Sequence, residues 1–205
     1  MCKDEDTMST ALARSGGPYT LADWESLDHD SDGNRVELIG GHLHVTPAPG
    51  FTHQIFSDEL RFELRQALRE HGRHDLVAVS AIGVAVTEEM GFIPDIVVAP
   101  VPADGAVKIS AADTLLAVEI VSPRTRKSDR LTKPAAYAEA GVPYYWRVEP
   151  IPGEAPTIVC FELVGGEYAK RHVVESEAPV TVKAAPVPVE LDVDALYGRI
   201  FGRLR

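Results

Sequence analysis

The sequence predicts an α+β or mixed α/β domain built around a central sheet. Its 205 residues, 45% of them apolar, are enough for one domain to bury a hydrophobic core. Segments with helical spacing of apolar residues and segments with strand-like alternation follow one another as helix, hairpin, helix, several strands, helix and strands. No internal repeat or low-complexity linker marks a second domain. This order of elements favours one sheet flanked by helices.

The first half of the chain contains three elements with clear local signals. "YTLADWESLDHD" begins with a capping box, Thr20 followed by Asp23, which predicts a short helix. "RVELIGGHLHVTP" contains two alternating runs around Gly40-Gly41, a strong signal for a two-residue hairpin. "HQIFSDELRFELRQALREHG" has apolar residues at helical spacing up to Gly72, so we expect an amphipathic helix.

The second half is richer in strands. Three β-rich runs come first, then a helix, a strand, a hairpin and a last short helix. In the helix, "SDRLTKPAAYAEAGV", Ser128 is the candidate N-cap and Gly141 the stop, and Pro134 requires a late start or a kink. A second hairpin turns at Gly165-Gly166. The segments read as strands or as the last helix are "DLVAVSAIGVAVT", "IPDIVVAP", "TLLAVEIVS", "PYYWRVEP", "TIVCFEL", "GEYAKRHVVE" and "DVDALYGRIFGRL".

Residues 1–18 read as a flexible polar leader, and residues 19–205 as the single domain. The leader, "MCKDEDTMSTALARSGG", has no basic segment followed by an apolar stretch, so secretion is not expected. Two cysteines, Cys2 and Cys160, form neither a disulfide framework nor a zinc site. No run is long enough to cross a bilayer. These features favour a reduced cytoplasmic location without membrane attachment.

The charge distribution is uneven. A net charge of −11 argues against a broad electrostatic grip on nucleic acid. Residues 122–133 reverse the sign, with five cationic residues against one acidic residue. A solvated loop is the simplest reading of Arg124, Arg126 and Lys127, although their position directly after an apolar strand also suits backbone phosphates. An anionic substrate therefore remains possible at one place.

Two carboxylates stand out within apolar strands. Asp95 follows Pro94 near the start of one strand, and Glu119 lies toward the end of the next. If these strands pair antiparallel, the two carboxylates meet at one edge of the sheet. Close carboxylates form a hard oxygen site suited to Mg²⁺ or Mn²⁺, and the backbone carbonyl of Ile120 is a candidate third ligand.

A cation beside this site could stabilise charge on a phosphate. Position 121, on the same strand face as Glu119, is valine and supplies none. Lys133, at the start of the following helix, could reach back across the sheet edge. Arg130 and Tyr137 lie one turn on either side of Lys133 and can share its face.

The segments "ELIGGHLHVTPAPGFTHQ", "IPDIVVAP" and "AVEIVSPRTRKSDRLTKPAAYAEAGVPYYWRVEP" resemble the Uma-two family of the PD-(D/E)xK nuclease superfamily. The resemblance implies a restriction-endonuclease-like fold, with a central mixed β-sheet, flanking helices and extra hairpins. It also implies Mg²⁺-dependent endonuclease activity. Asp95 and Glu119 match the metal-binding carboxylates, and Lys133 matches a lysine displaced to the next helix. Glu37 and His53 match further family positions.

Each candidate residue also has a simpler reading. Asp95 can cap a turn, and Glu119 can form a structural salt bridge to Arg130 or Lys133. His53 can cap or pack, and Glu37 can pair with a neighbour of Arg35 or extend the metal site. The alternative function is a catalytically silent nuclease-fold module that binds protein or nucleic acid, as a regulator or a dimer.

If the chain is a nuclease, the sequence favours DNA over RNA as the substrate. Arg124, Arg126, Lys127 and Arg130 are then the candidate phosphate-binding residues. Cleavage of both strands of a duplex usually needs two sites, which would favour a homodimer.

Overall fold

The computed structural model describes residues 18–27, 34–101, 108–176 and 178–202. The predicted leader lies outside these residues except for Pro18. The described helices are α1 (Leu21–Glu25), α2 (Phe51–Glu70), α3 (Lys133–Glu139) and α4 (Val193–Phe201), with a 3₁₀ turn at Ala111–Asp113 and a π-helical turn at Ser128–Thr132. The described strands are β1 (Arg35–Ile39), β2 (His42–Thr46), β3 (Leu76–Ser80), β4 (Gly83–Thr87), β5 (Met90–Phe92), β6 (Ile96–Pro100), β7 (Lys108–Ser110), β8 (Leu116–Ile120), β9 (Tyr144–Glu149), β10 (Thr157–Val164), β11 (Glu167–Val174), β12 (Val180–Val182) and β13 (Val189–Leu191).

The centre of the fold is a mixed six-stranded sheet in the order β11-β10-β9-β8-β6-β3. β8 and β9 are parallel, and the other neighbours are antiparallel. Both faces of β8 are buried. Leu116, Val118 and Ile120 pack in a core with the apolar side of α2, whereas Ala117 packs in a second core with Tyr137. Glu119, between Val118 and Ile120, therefore lies on the face of the second core.

A second sheet covers that face, in the order β2-β1-β5-β4-β7. The run "DLVAVSAIGVAVT" contributes to both sheets, because it divides into β3 and β4. Ala81, between them, has φ +53°, a left-handed conformation that non-glycine residues seldom adopt and that turns the chain from one sheet to the other. The single central sheet expected from the sequence is therefore accompanied by a second large sheet and a small β12-β13 pair.

Three elements predicted from local signals are present in the fold. The Thr20 hydroxyl oxygen accepts from the Asp23 N–H at 3.2 Å, and the Asp23 carboxylate accepts from the Thr20 N–H at 2.9 Å. The hairpin at Gly40-Gly41 joins β1 to β2, and both glycines have positive φ, as a type I′ turn requires. Helix α2 ends at Glu70, shortly before Gly72. The capping box, the hairpin and the α2 helix are confirmed.

The helix after β8 differs from its prediction at the start. Ser128 opens a π-helical turn and makes no N-cap hydrogen bond to α3, so the predicted cap is wrong. α3 begins at Lys133, with Pro134 in its first turn, where the missing N–H breaks no helical hydrogen bond. Of the two outcomes that Pro134 allowed, a late start of the helix and a kink, the late start is present. Within the described residues, no helix combines the length and the apolar character needed to span a membrane.

Candidate functional site

The candidate carboxylates lie on neighbouring strands. β6 and β8 pair antiparallel, with Ile96 opposite Val118, and the Asp95 N–H donates to the Val118 carbonyl at 3.1 Å. Continued by one residue, this register places Asp95 opposite Glu119. Both side chains are buried, each with 2% of its surface exposed. The antiparallel pairing expected from the sequence is confirmed, and it brings the two carboxylates to one edge of the sheet.

Asp95 is held by three donors. Arg35 Nη1 lies 2.5 Å from Oδ1, His53 Nε2 lies 3.2 Å from Oδ2, and the Ile120 N–H donates to Oδ2 at 2.7 Å. Burial disfavours ionisation of this carboxyl, but the hydrogen bond and charge of His53, together with Arg35, outweigh burial and lower its pKa. Asp95 is therefore an anion over the whole neutral range.

Glu119 has a different environment. Its Oε1 lies 3.0 Å from Lys133 Nζ and accepts from the Tyr137 hydroxyl at 3.5 Å. Complete burial raises the pKa of Glu119 well above its usual value, and neighbouring carboxylates, Asp129 foremost, raise it further against the opposing charge of Lys133. In the absence of further positive charge, ionisation of Glu119 is thus costly.

Lys133 forms the centre of a buried ion cluster. Its Nζ lies 2.9 Å from Glu37 Oε1, 3.0 Å from Glu119 Oε1 and 3.4 Å from Asp129 Oδ1. Burial alone would lower the pKa of this ammonium, but the three carboxylates raise it well above the usual lysine value. Lys133 is therefore a permanent cation. The salt bridge from Glu119 to Lys133, one of the simpler readings of the sequence, is present.

Arg130, the other proposed partner of Glu119, points elsewhere. Its Nε and Nη2 donate to the Glu149 carboxylate at 3.0 and 2.6 Å. Arg130, Lys133 and Tyr137 were expected to share one helix face, but only Lys133 and Tyr137 contact Glu119. The intervening π-helical turn explains the difference, because its wider helical step changes the angular offset between Arg130 and Lys133.

Glu37 and Asp129 reach the cluster from two different elements. Glu37, on β1, also accepts from the Ile93 N–H at 2.8 Å, so it extends the buried cluster and does not pair with a neighbour of Arg35. Asp129 lies in the π-helical turn, which the Tyr145 hydroxyl fixes by donating to the Asp129 carbonyl at 2.6 Å. Burial, opposed by Lys133, raises the pKa of Asp129.

The sequence reasoning missed two members of this site, Arg35 and Asp129. Each had a usable signal. Arg35 alternates with Glu37 on β1, so both side chains lie on one face. Asp129 precedes Lys133 by four residues, the spacing at which an acid and a base meet on a helix.

The ion cluster contains more carboxyl groups than cations. Four buried carboxyl groups, Glu37, Asp95, Glu119 and Asp129, face Lys133 and Arg35, and the raised pKa values of Glu119 and Asp129 reflect the cost of ionising all four. Desolvated charges are stable only when they are compensated. A further cation at this place would remove the imbalance.

The donors fit a small hard cation such as Mg²⁺. Asp95 and Glu119 border one cleft of about 290 Å³ that is open to solvent. Among the described residues, no group of three or more His, Cys, Asp or Glu side chains is arranged to hold a metal ion. Mg²⁺ does not need such a group, because it typically takes one or two protein carboxylates and completes its shell with water and substrate phosphate.

The cationic loop after β8 lies around this cleft. Arg124 lines the cleft, whereas Arg126 and Arg130 line a groove beside it. Lys127 is exposed on the same loop. The first turn of α2, with His53, borders the cleft on the other side.

Comparisons with known proteins identify the family and the fold of this chain. The family model of Uma2, described as "Putative restriction endonuclease", matches residues 20–194. The chain belongs to the Uma2 family. The resemblance noted in the sequence is thereby confirmed.

The Uma2 chain also shares its fold with a solved structure, that of a "putative nuclease belonging to DUF820" from Anabaena variabilis. The TM-score is 0.67 at 18% identity, over 88% of this chain and 98% of that one. The predicted fold class, a mixed sheet with flanking helices and extra hairpins, is confirmed. A search of curated proteins found no match.

Proposed function

We propose that this Uma2 protein is a metal-dependent endonuclease that hydrolyses phosphodiester bonds in nucleic acid, with DNA as the favoured substrate. One observation carries the proposal. Asp95 and Glu119 lie buried on adjacent antiparallel strands at an open cleft, and the ammonium of Lys133 contacts Glu119. Two carboxylates that can hold a metal ion and a lysine that can stabilise charge on a phosphate are suited to phosphodiester hydrolysis.

Asp95 and Glu119 would hold Mg²⁺ or Mn²⁺, with the Ile120 carbonyl as the proposed third ligand. When bound, the metal supplies positive charge beside the phosphate and lowers the pKa of a coordinated water. Arg35 and His53 fix the orientation of the Asp95 carboxylate toward this role.

Lys133 supplies the permanent positive charge of the site. Glu37 and Asp129 hold its ammonium in place, so the charge is already oriented when substrate arrives. A preorganised cation in a buried setting stabilises charge that develops on phosphate oxygens more strongly than one in water. Lys133 would therefore stabilise the transition state.

Two further features suit the substrate phosphates. Arg124 lines the cleft and is exposed, so its guanidinium can contact a backbone phosphate. The N-terminus of the 20-residue helix α2 borders the same cleft, where its backbone N–H groups and helix dipole favour an anion.

One observation favours a second candidate function, a catalytically silent binding or regulatory module. Asp95 is already compensated by Arg35 at 2.5 Å and by two further donors. In that case the carboxylates serve only to hold the sheet edge, and the cleft binds a partner without cleaving it.

Cleavage assays on plasmid and oligonucleotide substrates, with Mg²⁺, Mn²⁺ or EDTA, separate the two functions. We expect metal-dependent cleavage by the wild type and a loss of at least about a hundredfold in Glu119→Gln. Glu162→Gln is the matched control, because Glu162 is partly exposed and pairs with Arg171 far from the cleft.

Calorimetric titration with Mg²⁺ gives an independent readout on wild type and Asp95→Asn. Binding that disappears in Asp95→Asn would agree with the proposal. A folded wild type that neither binds metal nor cleaves any substrate would leave the silent module as the function.

A further inference from the structure

A broad groove opens beside the carboxylate cleft. We call it the aromatic groove. It has a volume of about 730 Å³, and four segments line it: the start of α2, the end of β8 with the segment after it, the end of β9 with the loop after it, and helix α4. Its apolar side chains include Phe51, Phe56, Ile151, Tyr197 and Phe201, together with several valine, isoleucine and proline side chains.

Several of these side chains are exposed although they are large and apolar. Phe51 is 80% exposed, Phe201 40% and Ile151 39%. The rings of Tyr197 and Phe201 lie together, with centroids 4.5 Å apart. Exposed apolar surface gathered in one concave region is typical of a binding site.

The aromatic groove is continuous with the candidate site. Five residues line both the groove and the carboxylate cleft: Gly50, His53, Ile120, Ser122 and Pro123. An extended ligand with one end at Asp95 and Glu119 therefore passes directly into the groove. The groove would then hold another part of the same ligand whose phosphate lies in the cleft.

The polar side chains that line the groove include arginines from the segment after β8 and two carboxylates, Glu149 and Glu154. Arg126 and Arg130 lie along the groove, next to Arg124 in the cleft. Glu149, also in the wall, is neutralised by Arg130 at 2.6 Å and by Arg147 at 2.7 Å. Arg124 beside the cleft and Arg126 beside the groove are thus the exposed arginines that can still contact a phosphate, since Arg130 is bound to Glu149.

We propose that the aromatic groove binds unpaired bases of single-stranded DNA, so that the substrate of the cleft is a single strand or a single-stranded end. This inference rests on the proposed nuclease function. Aromatic side chains stack on bases that have left the helix, whereas a duplex hides the faces of its bases. A chain with a net charge of −11 is also poorly suited to embrace the phosphates of a duplex.

The wall of the groove favours DNA over RNA. It consists mainly of aromatic, aliphatic and proline side chains, with few hydroxyl or amide groups to recognise a ribose 2′-hydroxyl. Stacking on such a wall depends little on the identity of the base, so we expect weak sequence preference.

Fluorescence anisotropy with a labelled thymidine oligomer tests the groove, in EDTA so that no cleavage intervenes. Phe51→Ala should weaken binding about tenfold or more, the scale of one lost stacking platform, and Phe51→Trp should restore it. Phe62→Ala is the matched control, since Phe62 lies on the same helix, is 55% exposed and is outside the groove. The salt dependence should stay unchanged in Phe51→Ala, because no phosphate contact is removed.

Several outcomes would overturn the inference. The first is an equal loss of DNA binding in Phe51→Ala and Phe62→Ala. The second is tighter binding of a duplex or of a uridine oligonucleotide than of the thymidine oligonucleotide. The third is a change of the protein from dimer to monomer in Phe51→Ala without loss of binding to the thymidine oligonucleotide. The last result would identify the groove as an interface between two copies.

Cleavage separates the inference from the function on which it rests. Metal-dependent cleavage of duplex DNA with no effect of Phe51→Ala would overturn the inference and leave the nuclease function intact. Binding of single strands through Phe51 with no cleavage in Mg²⁺ or Mn²⁺ would overturn the nuclease function, and the groove would remain a single-strand site. A wild type that neither binds the thymidine oligonucleotide nor cleaves nucleic acid would overturn both the inference and the nuclease function.

Discussion

Replacing Lys133 by methionine would remove the one ammonium that three buried carboxylates share. The Lys133 ammonium lies 2.9 Å from Glu37, 3.0 Å from Glu119 and 3.4 Å from Asp129, and the Lys133 side chain is 3% exposed. Methionine keeps most of the volume, so the change in packing is small. The variant therefore isolates the electrostatic contribution of Lys133.

The expected loss of stability follows from what remains in the fold. Removal of one partner of a buried ion pair typically costs about 3–5 kcal/mol, because the other charge stays desolvated without compensation. With three carboxylates left around one site, we expect Lys133→Met to fall at or above the middle of that range near neutral pH.

The loss should depend on pH. Burial already raises the pKa values of Glu119 and Asp129 in the fold, and removing the cation raises them further. A carboxyl whose pKa is higher in the folded state destabilises the fold as pH rises from its unfolded pKa, about 4.3 for glutamate, to its folded pKa. The pKa of Lys133 itself is raised, so its contribution in the wild type persists across this window and is lost only in strong alkali. The deficit of Lys133→Met should therefore be small near pH 4 and largest near pH 8.

Urea unfolding at several pH values, followed by the fluorescence of the buried Trp24 and Trp146, measures this deficit. Lys170→Met is the matched control, because Lys170 is exposed on β11 and its loss should change stability by less than about 0.5 kcal/mol. A Lys133→Met variant as stable as wild type at alkaline pH would refute the reasoning. So would a deficit independent of pH.

Three further predictions concern single residues. Glu119→Gln should lower cleavage at least about a hundredfold and yet raise the free energy of unfolding by roughly 1 kcal/mol near pH 8, with no increase near pH 4. The reason is that the raised pKa of Glu119 makes its ionisation costly in the fold. A lower stability of the variant near pH 8 would contradict this. Cys160 is buried, and burial raises the pKa of its thiol, so iodoacetamide should not modify it in the folded protein but should modify it in urea. Mass spectrometry measures this difference, and rapid labelling of the folded protein would contradict the buried position. Gly91→Ala should lower the free energy of unfolding in urea by about 1–3 kcal/mol, because a Cβ there would lie 2.5 Å from the buried ring of Trp24. Gly198→Ala, with open space around the glycine, should not lower it. Equal stabilities of the two variants would contradict the close packing of Gly91 against Trp24.

The elements that the sequence predicted well are those decided by neighbouring residues. The Thr20–Asp23 capping box, the Gly40-Gly41 turn and the apolar spacing of α2 each involve contacts within a few positions along the chain. The division of the chain into two large sheets depends on Ala81, whose left-handed conformation no propensity predicts. The π-helical turn before α3 likewise has a distant contact, because Tyr145 of β9 donates to the Asp129 carbonyl, whereas the late start of α3 follows from Pro134.

The candidate site shows the same division. Asp95, Glu119 and Lys133 were predictable because an unpaired charge within or beside an apolar strand demands a partner, and antiparallel pairing supplies one. Alternation along β1 places Arg35 on the face of Glu37, but its contact with Asp95 was not predictable, since it spans 60 positions in the chain and joins two sheets. Periodicity places a residue on a face of its own strand but does not reveal which other strand that face will meet.

The cationic segment after β8 has two separate roles once the fold is known. Lys133 is directed inward and compensates carboxylates, and Arg130 is bound to Glu149. Arg124, Arg126 and Lys127 remain exposed on the loop. Fewer positive charges are therefore available to phosphates than the sequence suggests. Because few exposed cations are left to contact phosphates, the proposed nuclease function fits best with additional affinity from the bases, for which the aromatic groove is the proposed site.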